Sequence, residues 1–222
     1  MPGGVVRAGD TVRRPAGPDT LFVRALLDHL EPWPGAPRHL GLDAGCEVVE
    51  FLAGDVPPDG AAAPSAAVAA ARLLREFHDL TAGTPLAAGA EVVCHNDIAP
   101  KNTVFRAGRP VAFIDWEIAA PGRRIDDVAH LCWQFLGLGP AADPAASARA
   151  IAAVRTAYGL PDPQAVLVDR VLWWQTITAD GIEQGAAQGD PALLAFVERG
   201  AVTEVRTAHR WVTAHREALS AP

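Results

Sequence analysis

The stretch VVCHNDIAPKNTVF at 92–105 is followed, after seven intervening residues, by FIDWE at 113–117. Short apolar runs in and between these stretches predict three strands, at 92–94, 103–105 and 111–114. Asp97 and Asn102 then lie at opposite ends of one loop, and Asp115 comes just past a strand end. We therefore expect the three side chains to converge on one place.

Asp97, Asn102 and Asp115 supply the groups that phosphoryl transfer requires. The reaction needs a carboxylate that orients the attacking hydroxyl and accepts its proton, and oxygen ligands for magnesium ions at the β- and γ-phosphates. A single Asp or Asn in a loop is more often a turn former or a helix cap. The prediction therefore depends on the ordered set of residues and on the strands around it.

This pattern, His-x-Asp-x-x-x-x-Asn followed by Ile-Asp-Trp-Glu, resembles the aminoglycoside phosphotransferase and choline kinase group, small-molecule kinases built on the protein-kinase fold. The resemblance implies that Asp97 is the catalytic base and that Asn102 and Asp115 bind metal. His95 is assigned to holding the loop. The segment that ends in Asp-Val-Ala implies that Asp127 braces the same loop, although an Asp there also suits a helix cap.

The resemblance implies an α+β fold, bilobal and protein-kinase-like, with a short N-terminal β-lobe at 1–53 and a mainly helical lobe at 54–222. The first lobe is predicted to contain a hairpin at 5–14, a helix that starts at Asp19 or Thr20, and a strand at 47–52. In the second lobe, helical spacing and Gly or Pro breaks predict helices at 128–136, 144–158, 163–184 and 191–218.

The nucleotide site follows from the same resemblance. The segment after the strand at 47–52 is the hinge whose backbone receives adenine, which implicates Glu50 and Leu52. The only lysine is Lys101, inside the catalytic loop, so the strand lysine that contacts the phosphates is absent. Arg13, or failing that Arg14, is predicted to replace it. The implied cofactors are ATP, with GTP as an alternative, and Mg²⁺.

Two hypotheses about function are compatible with these residues. The sequence starts at Met1 where members of the group have already formed a strand and a phosphate-covering turn. We therefore expect that most of the glycine-rich lid is missing, or else that the start of this sequence is too late. One hypothesis is an ATP-dependent kinase that phosphorylates a hydroxyl of a small molecule such as an aminoglycoside, an amino alcohol or a related metabolite. The other is a non-catalytic nucleotide- or ligand-binding remnant of the fold. The intact motif favours the first and the missing lid favours the second.

Composition narrows the possible partners. A net charge of −7 without a basic run argues against nucleic acid and is compatible with a cationic substrate. No segment is apolar enough to span a membrane and the N-terminus lacks a signal-peptide pattern, which predicts a cytoplasmic protein. The three scattered cysteines indicate neither disulfides nor a metal site. Candidate contacts for substrate ammonium groups, or else ordinary solvent-facing charges, are Asp180, Glu183, Asp190 and Glu198.

Overall fold

The computed structural model describes residues 5–17, 19–57 and 62–221. Its strands are β1 Val6–Ala8, β2 Thr11–Pro15, β3 His39–Asp43, β4 Cys46–Glu50, β5 Val92–Cys94, β6 Thr103–Arg106, β7 Arg109–Phe113 and β8 Ala120–Gly122. Its helices are α1 Thr20–Leu30, α2 Pro64–Thr81, α3 Arg124–Leu136, α4 Pro144–Tyr158, α5 Gln164–Ala187, α6 Pro191–Glu198, α7 Ala201–Ala214 and α8 Arg216–Ser220.

The first part of the chain is an antiparallel sheet in the order β1-β2-β4-β3, with α1 inserted between β2 and β3. Gly9 allows the tight turn of the first hairpin because its φ of 62° is a conformation that side chains disfavour. Helix α1 buries one apolar stripe, formed by Val23, Leu26, Leu27 and Leu30. This spacing of three and four residues places the stripe on a single helical face, which packs into the core.

The second part is mainly helical and carries two small antiparallel pairs, β5 with β8 and β6 with β7. Helix α2 packs against α3 and α4. Its buried alanines at 66, 67, 70 and 71 have small side chains, which let neighbouring elements approach closely. An isolated bridge between Asp55 and Phe105 joins the segment after β4 to β6, and the buried apolar residues of both parts form one core.

The α+β, bilobal protein-kinase-like fold class predicted from the sequence is confirmed. The division at residue 53 stays a prediction. Strands β3 and β8 were not predicted, since both are short and half-exposed and lack a continuous apolar run. The helix predicted at 191–218 is three helices, because Gly200, with φ of 85°, separates α6 from α7 and His215 separates α7 from α8.

Within the described parts of the chain, no helix combines the length and the apolar character that crossing a bilayer requires.

Phe77, on α2, connects the two parts of the core. Its ring meets that of Trp116 edge-on, with centroids 4.8 Å apart, and stacks at 6.2 Å on Trp33, which follows α1. Trp116 is the residue directly after Asp115. Aromatic contacts of this kind add stabilisation beyond the buried area alone. Phe77 thus supports both the first lobe and the segment that carries a predicted metal ligand.

We expect Phe77→Ala to lower the free energy of unfolding by about 3–5 kcal/mol, because it removes a fully buried ring and leaves a cavity. Leu80→Ala, on the same helix at a position 42% exposed, should cost well under half as much. Urea unfolding followed by circular dichroism measures both. Equal losses in the two variants would contradict the role given to Phe77.

Candidate active site

The loop after β5 folds back so that its two ends meet. Asn96 adopts a left-handed conformation, with φ of 66°, which Asn tolerates better than most residues. A 3₁₀ turn at Pro100–Asn102 then returns the chain toward Asp97. The side-chain Nδ2 of Asn102 donates to Asp97 Oδ2 at 2.7 Å and to the Asp97 carbonyl at 3.0 Å. Because Nδ2 makes both bonds, Asn102 Oδ1 is left available as an acceptor.

Asp115 lies beside this loop. The backbone N–H of Ile114 donates to the Asn102 carbonyl at 2.9 Å, which ties the end of β7 to the end of the loop. Asp115 itself has φ of 66°, and its side chain is 52% exposed. Asn102 and Asp115 both line one cavity of about 290 Å³. The structure thus brings Asp97, Asn102 and Asp115 into one region.

His95 fixes the loop from within the core. Its Nε2–H donates to the Ile114 carbonyl at 3.0 Å, and its Nδ1 accepts the backbone N–H of Asp97 at 3.3 Å. The two bonds require one tautomer, with the proton on Nε2, since a carbonyl only accepts. The ring packs on Trp116 at 4.5 Å. His95 therefore lies where a loop-holding residue is needed.

Asp127 braces the start of the loop. Its Oδ2 accepts the backbone N–H of His95 at 2.7 Å, and its Oδ1 accepts that of Asn96 at 2.8 Å. His78 Nε2 donates a third bond to Oδ2 at 3.0 Å. The cap that α3 begins with is instead formed by Asp126, whose carboxylate accepts the N–H of Arg123.

The hydrogen-bond chain continues behind Asp127. His78 Nδ1 accepts from the Tyr158 hydroxyl at 2.6 Å, and that hydroxyl accepts from Arg124 at 3.2 Å. The possible ligand atoms of His78, Cys94 and Asp127 lie within 4.8 Å of one another, which is close enough for the three to bind one metal ion. Burial raises the pKa of the Cys94 thiol, and Asp127 already accepts three hydrogen bonds. This cluster is therefore suited to bracing the loop and not to ligation.

Burial and hydrogen bonding shift the pKa values of these groups. Burial alone would raise the pKa of Asp127, but the hydrogen bond from His78 and the backbone hydrogen bond from His95 bring it below the ordinary value. Burial lowers the pKa of His95 and of His130, although the carboxylates nearby oppose that shift. Both imidazoles are therefore neutral in the folded protein near pH 7.

The residues predicted to contact the nucleotide are divided between two faces of the first lobe. Glu50 and Leu52 line the same cavity as Asn102 and Asp115. Arg13 does not: its guanidinium is on the exposed face of β2 and pairs with Asp43 at 2.8 Å.

Arg14 lines the cavity in place of Arg13. It is 8% exposed, and its Nη1 lies 3.8 Å from Asp115 Oδ1 and 3.4 Å from Glu117 Oε1. Of the two predicted arginines, the structure therefore places the alternative, Arg14, at the cavity and not the first choice, Arg13. The alternation of side chains along β2 could have indicated this choice. Val12 and Arg14 share one face of the strand, and Val12, unlike its neighbour Thr11, is apolar and therefore expected to face inward.

Three residues in this region had no predicted role. Glu47 binds Arg14 Nε through Oε2 at 2.6 Å, and Glu117 faces the same guanidinium. His130 Nε2 lies 3.9 Å from Asp97 Oδ1, while its Nδ1 bonds the Ile98 carbonyl. Only Glu117 had a local signal, since it lies two residues after Asp115. The other two depend on contacts between distant segments.

Three of the four acidic candidates for contact with substrate ammonium groups have other partners, and Glu198 stays an untested candidate. Asp180 and Glu183 both bind Arg206, at 2.6 and 2.9 Å. Asp190 caps α6 by accepting backbone N–H groups. The side of Asp97 that faces α3 and α5 is aromatic instead, since the His130 ring meets Trp133 at 5.5 Å and Trp174 at 5.0 Å.

Comparisons with known proteins agree with this geometry. The model of the phosphotransferase enzyme family matches residues 80–167, which include the loop at 95–102 and Asp115. A trifolitoxin immunity protein from Rhizobium leguminosarum bv. trifolii is 34% identical over 148 residues, which are 58% of this chain and 57% of that protein. The match thus spans little more than half of the curated relative.

Solved structures show the same fold at low sequence identity. A macrolide 2'-phosphotransferase from Brachybacterium faecium has a TM-score of 0.58 and 17% identity, over 98% of this chain and 88% of that one. A choline/ethanolamine kinase family protein from Mesorhizobium loti has a TM-score of 0.60 and 15% identity, over 97% and 88% of the two chains.

The fold is that of the protein-kinase-like class of structures. Within that class, the resemblance to the aminoglycoside phosphotransferase and choline kinase group, first indicated by the loop motif, is confirmed.

We expect the melting temperature to fall as the pH is lowered from 7.5 to 4. Below about pH 6.5, His95 and His130 become protonated in the unfolded chain but stay neutral in the fold. Near pH 4, Asp127 becomes protonated in the unfolded chain but stays ionised in the fold. Each of these groups has a lower pKa in the folded state than in the unfolded state. The free energy of unfolding therefore falls with pH, by about 1.4 kcal/mol for each unit of that pKa difference.

Scanning calorimetry across this pH range measures the effect. His130→Gln, which keeps a donor for the Ile98 carbonyl, should lessen the fall between pH 7 and pH 5. A melting temperature that stays level down to pH 5 would contradict the neutral, buried state of the two histidines.

Proposed function

We propose that this chain is a phosphotransferase that moves the γ-phosphoryl group of ATP, or of GTP, to a hydroxyl of a small molecule. The observation that carries the proposal is the contact between Asp97 and Asn102 beside a cavity that Asp115 also lines. Positioning and charge neutralisation account for most of the catalysis of such reactions, and these three side chains are the groups that supply them.

Asp97 is proposed as the general base. Its Oδ2 accepts from Asn102, which fixes the carboxylate and leaves Oδ1 as the free oxygen. The side chain is 28% exposed, so an acceptor hydroxyl has access to it. The hydroxyl proton passes to Asp97 Oδ1 as the hydroxyl oxygen attacks the γ-phosphorus, and the bond from that phosphorus to the bridging oxygen breaks.

Asn102 and Asp115 are proposed to hold Mg²⁺. Asn102 Oδ1 is left free because Nδ2 makes both of the side-chain bonds, and Asp115 has an exposed carboxylate. Both offer only oxygen, which magnesium and manganese prefer. When bound, the ion neutralises charge on the β- and γ-phosphates.

The lining of the cavity has two chemical characters, which suit the two parts of a nucleotide. It includes apolar side chains, among them Val12, Val49, Leu52, Val104 and Ile114, and the polar side chains of Arg14, Asn102 and Asp115. We place the base against apolar side chains near Glu50 and Leu52 of the hinge, and the phosphates beside the three polar ones. A chain that uses ATP in this way would act in the cytoplasm.

The acceptor is proposed to be a small hydroxylated molecule with a cationic group. Structures of the same fold include a macrolide phosphotransferase and a choline/ethanolamine kinase family protein. The half-exposed ring of Trp174 contacts His130, whose Nε2 lies 3.9 Å from Asp97 Oδ1, and indole rings attract cations. The net charge of −7 favours cations at longer range. Aminoglycosides and amino alcohols are the first compounds to test.

The second candidate is a non-catalytic nucleotide- or ligand-binding protein of the same fold. One observation favours it, namely that the curated relative with 34% identity is an immunity protein. The two candidates differ in one measurement, since a binding protein retains ligand without consuming ATP.

Asp97→Asn should reduce phosphoryl transfer roughly a hundred- to ten-thousand-fold, because the amide is no base. Its oxygen can still accept from Asn102, so the fold should persist. ATP consumption with a panel of aminoglycosides, amino alcohols and sugars measures the rate in parent and variant. Turnover within twofold of the parent would remove Asp97 from the mechanism.

Asp115→Asn should shrink the rise in melting temperature that Mg-ATP causes, because an amide binds Mg²⁺ more weakly than a carboxylate. Asp43→Asn is the matched control, since Asp43 pairs with Arg13 on the exposed face of the sheet. The control should keep the full shift. An unchanged shift in Asp115→Asn would count against its assignment as a metal ligand.

A further inference from the structure

Arg14 and Glu47 form a buried ion pair within the sheet of the first lobe. They are directly opposite each other in the antiparallel register of β2 and β4. Arg14 Nε donates to Glu47 Oε2 at 2.6 Å, and the two residues are 8% and 2% exposed. A buried charge needs a partner, and the pairing of neighbouring strands brings this one within reach.

Glu47 has no second use in the described part of the chain. Its other oxygen, Oε1, is buried there without a hydrogen-bond partner. Arg14 is therefore the donor that compensates this carboxylate. Burying a carboxylate oxygen without a hydrogen-bond partner is energetically costly. A role of Glu47 in orienting Arg14 explains why this cost is tolerated.

The bond to Glu47 sets the direction of the guanidinium. With Nε directed at Glu47, Nη1 lies 3.4 Å from Glu117 and 3.8 Å from Asp115, and both of these acidic residues line the cavity with Arg14. A guanidinium is planar, so fixing one edge fixes the other. The free edge faces the region proposed for the nucleotide phosphates.

Helix α1 does not provide such a partner. Asp28, its acidic residue, is exposed and lies 3.6 Å from Arg24 and 3.7 Å from His39. Asp19, at the start of the helix, lines a cavity of about 210 Å³ that Arg14 and Glu47 also line. This space lies between the helix start and the ion pair.

We infer that Glu47 is the positioning residue for Arg14, and that the phosphate-facing arginine is therefore oriented by the sheet and not by α1. The inference rests on the proposed use of ATP. Because the register of β2 with β4 fixes both partners, a shift of α1 leaves the pair intact. The orientation of Arg14 is thus independent of the position of that helix.

Calorimetric titration with Mg-ATP tests the inference on five proteins. They are the parent, Glu47→Gln, Arg14→Gln, the double variant and Asp28→Asn. Glu47→Gln and Arg14→Gln should each weaken binding about tenfold or more, and the double variant should be little worse than either, as expected for two residues that act as one unit. Asp28→Asn, on α1, should bind like the parent.

A positioning role also predicts which kinetic constant changes. Glu47→Gln should raise the KM for ATP and leave the KM for the acceptor unchanged, whereas general loosening of the fold would raise both. Glu47→Asp keeps the charge one methylene farther from Arg14, so it should fall between the parent and Glu47→Gln. It also provides the test if the glutamine variant does not fold.

The outcomes separate the two proposals. A parent that binds no ATP would overturn the proposed function, and this inference with it. A parent that binds ATP while folded Glu47→Gln or Glu47→Asp binds equally well would overturn the inference alone. Weakened binding in Asp28→Asn comparable to that in Glu47→Gln would show that α1 shares the orienting role, which also overturns it.

Discussion

The buried carboxylate of Asp127 is the constraint on which the site depends. A fully buried charge without donors is very costly, so the fold must bring donors to both of its oxygens. The backbone N–H groups of His95 and Asn96 and the imidazole of His78 meet that need. These bonds determine where the loop at 95–102 starts, and Asp97 is the residue directly after Asn96.

Further bonds extend this constraint to the rest of the site. His95 binds the Ile114 carbonyl, and the N–H of Ile114 binds the Asn102 carbonyl, so one residue at the end of β7 is tied to both ends of the loop. Asp115 comes next along the chain, and Trp116 after it packs on Phe77. The loop and the predicted metal ligand therefore share one rigid support, which is what a preorganised site requires.

The cavity is supported in two different ways. Its C-lobe side is held by the hydrogen bonds around Asp127, whereas its first-lobe side is held by strand pairing, which fixes Arg14 opposite Glu47. Opposite charges face each other beside the cavity, where the Arg14 guanidinium approaches the carboxylates of Asp115 and Glu117. Phosphates with magnesium would fit between groups of both signs.

The sequence by itself predicted the fold class through its resemblance to a known group, and it predicted the strands around the loop because their apolar runs are local. The set Asp97, Asn102 and Asp115 is likewise contained in one local motif, and its chemical role stays a proposal. Tertiary structure decided that Arg14 and not Arg13 faces the cleft, since neighbouring strand residues point to opposite faces and only pairing sets the register. It also decided the partners of Arg14 and Asp127, which are 33 and 49 residues away in the chain. Hydrophobic spacing carries no information about contacts between such distant segments, so only the packed chain defines them.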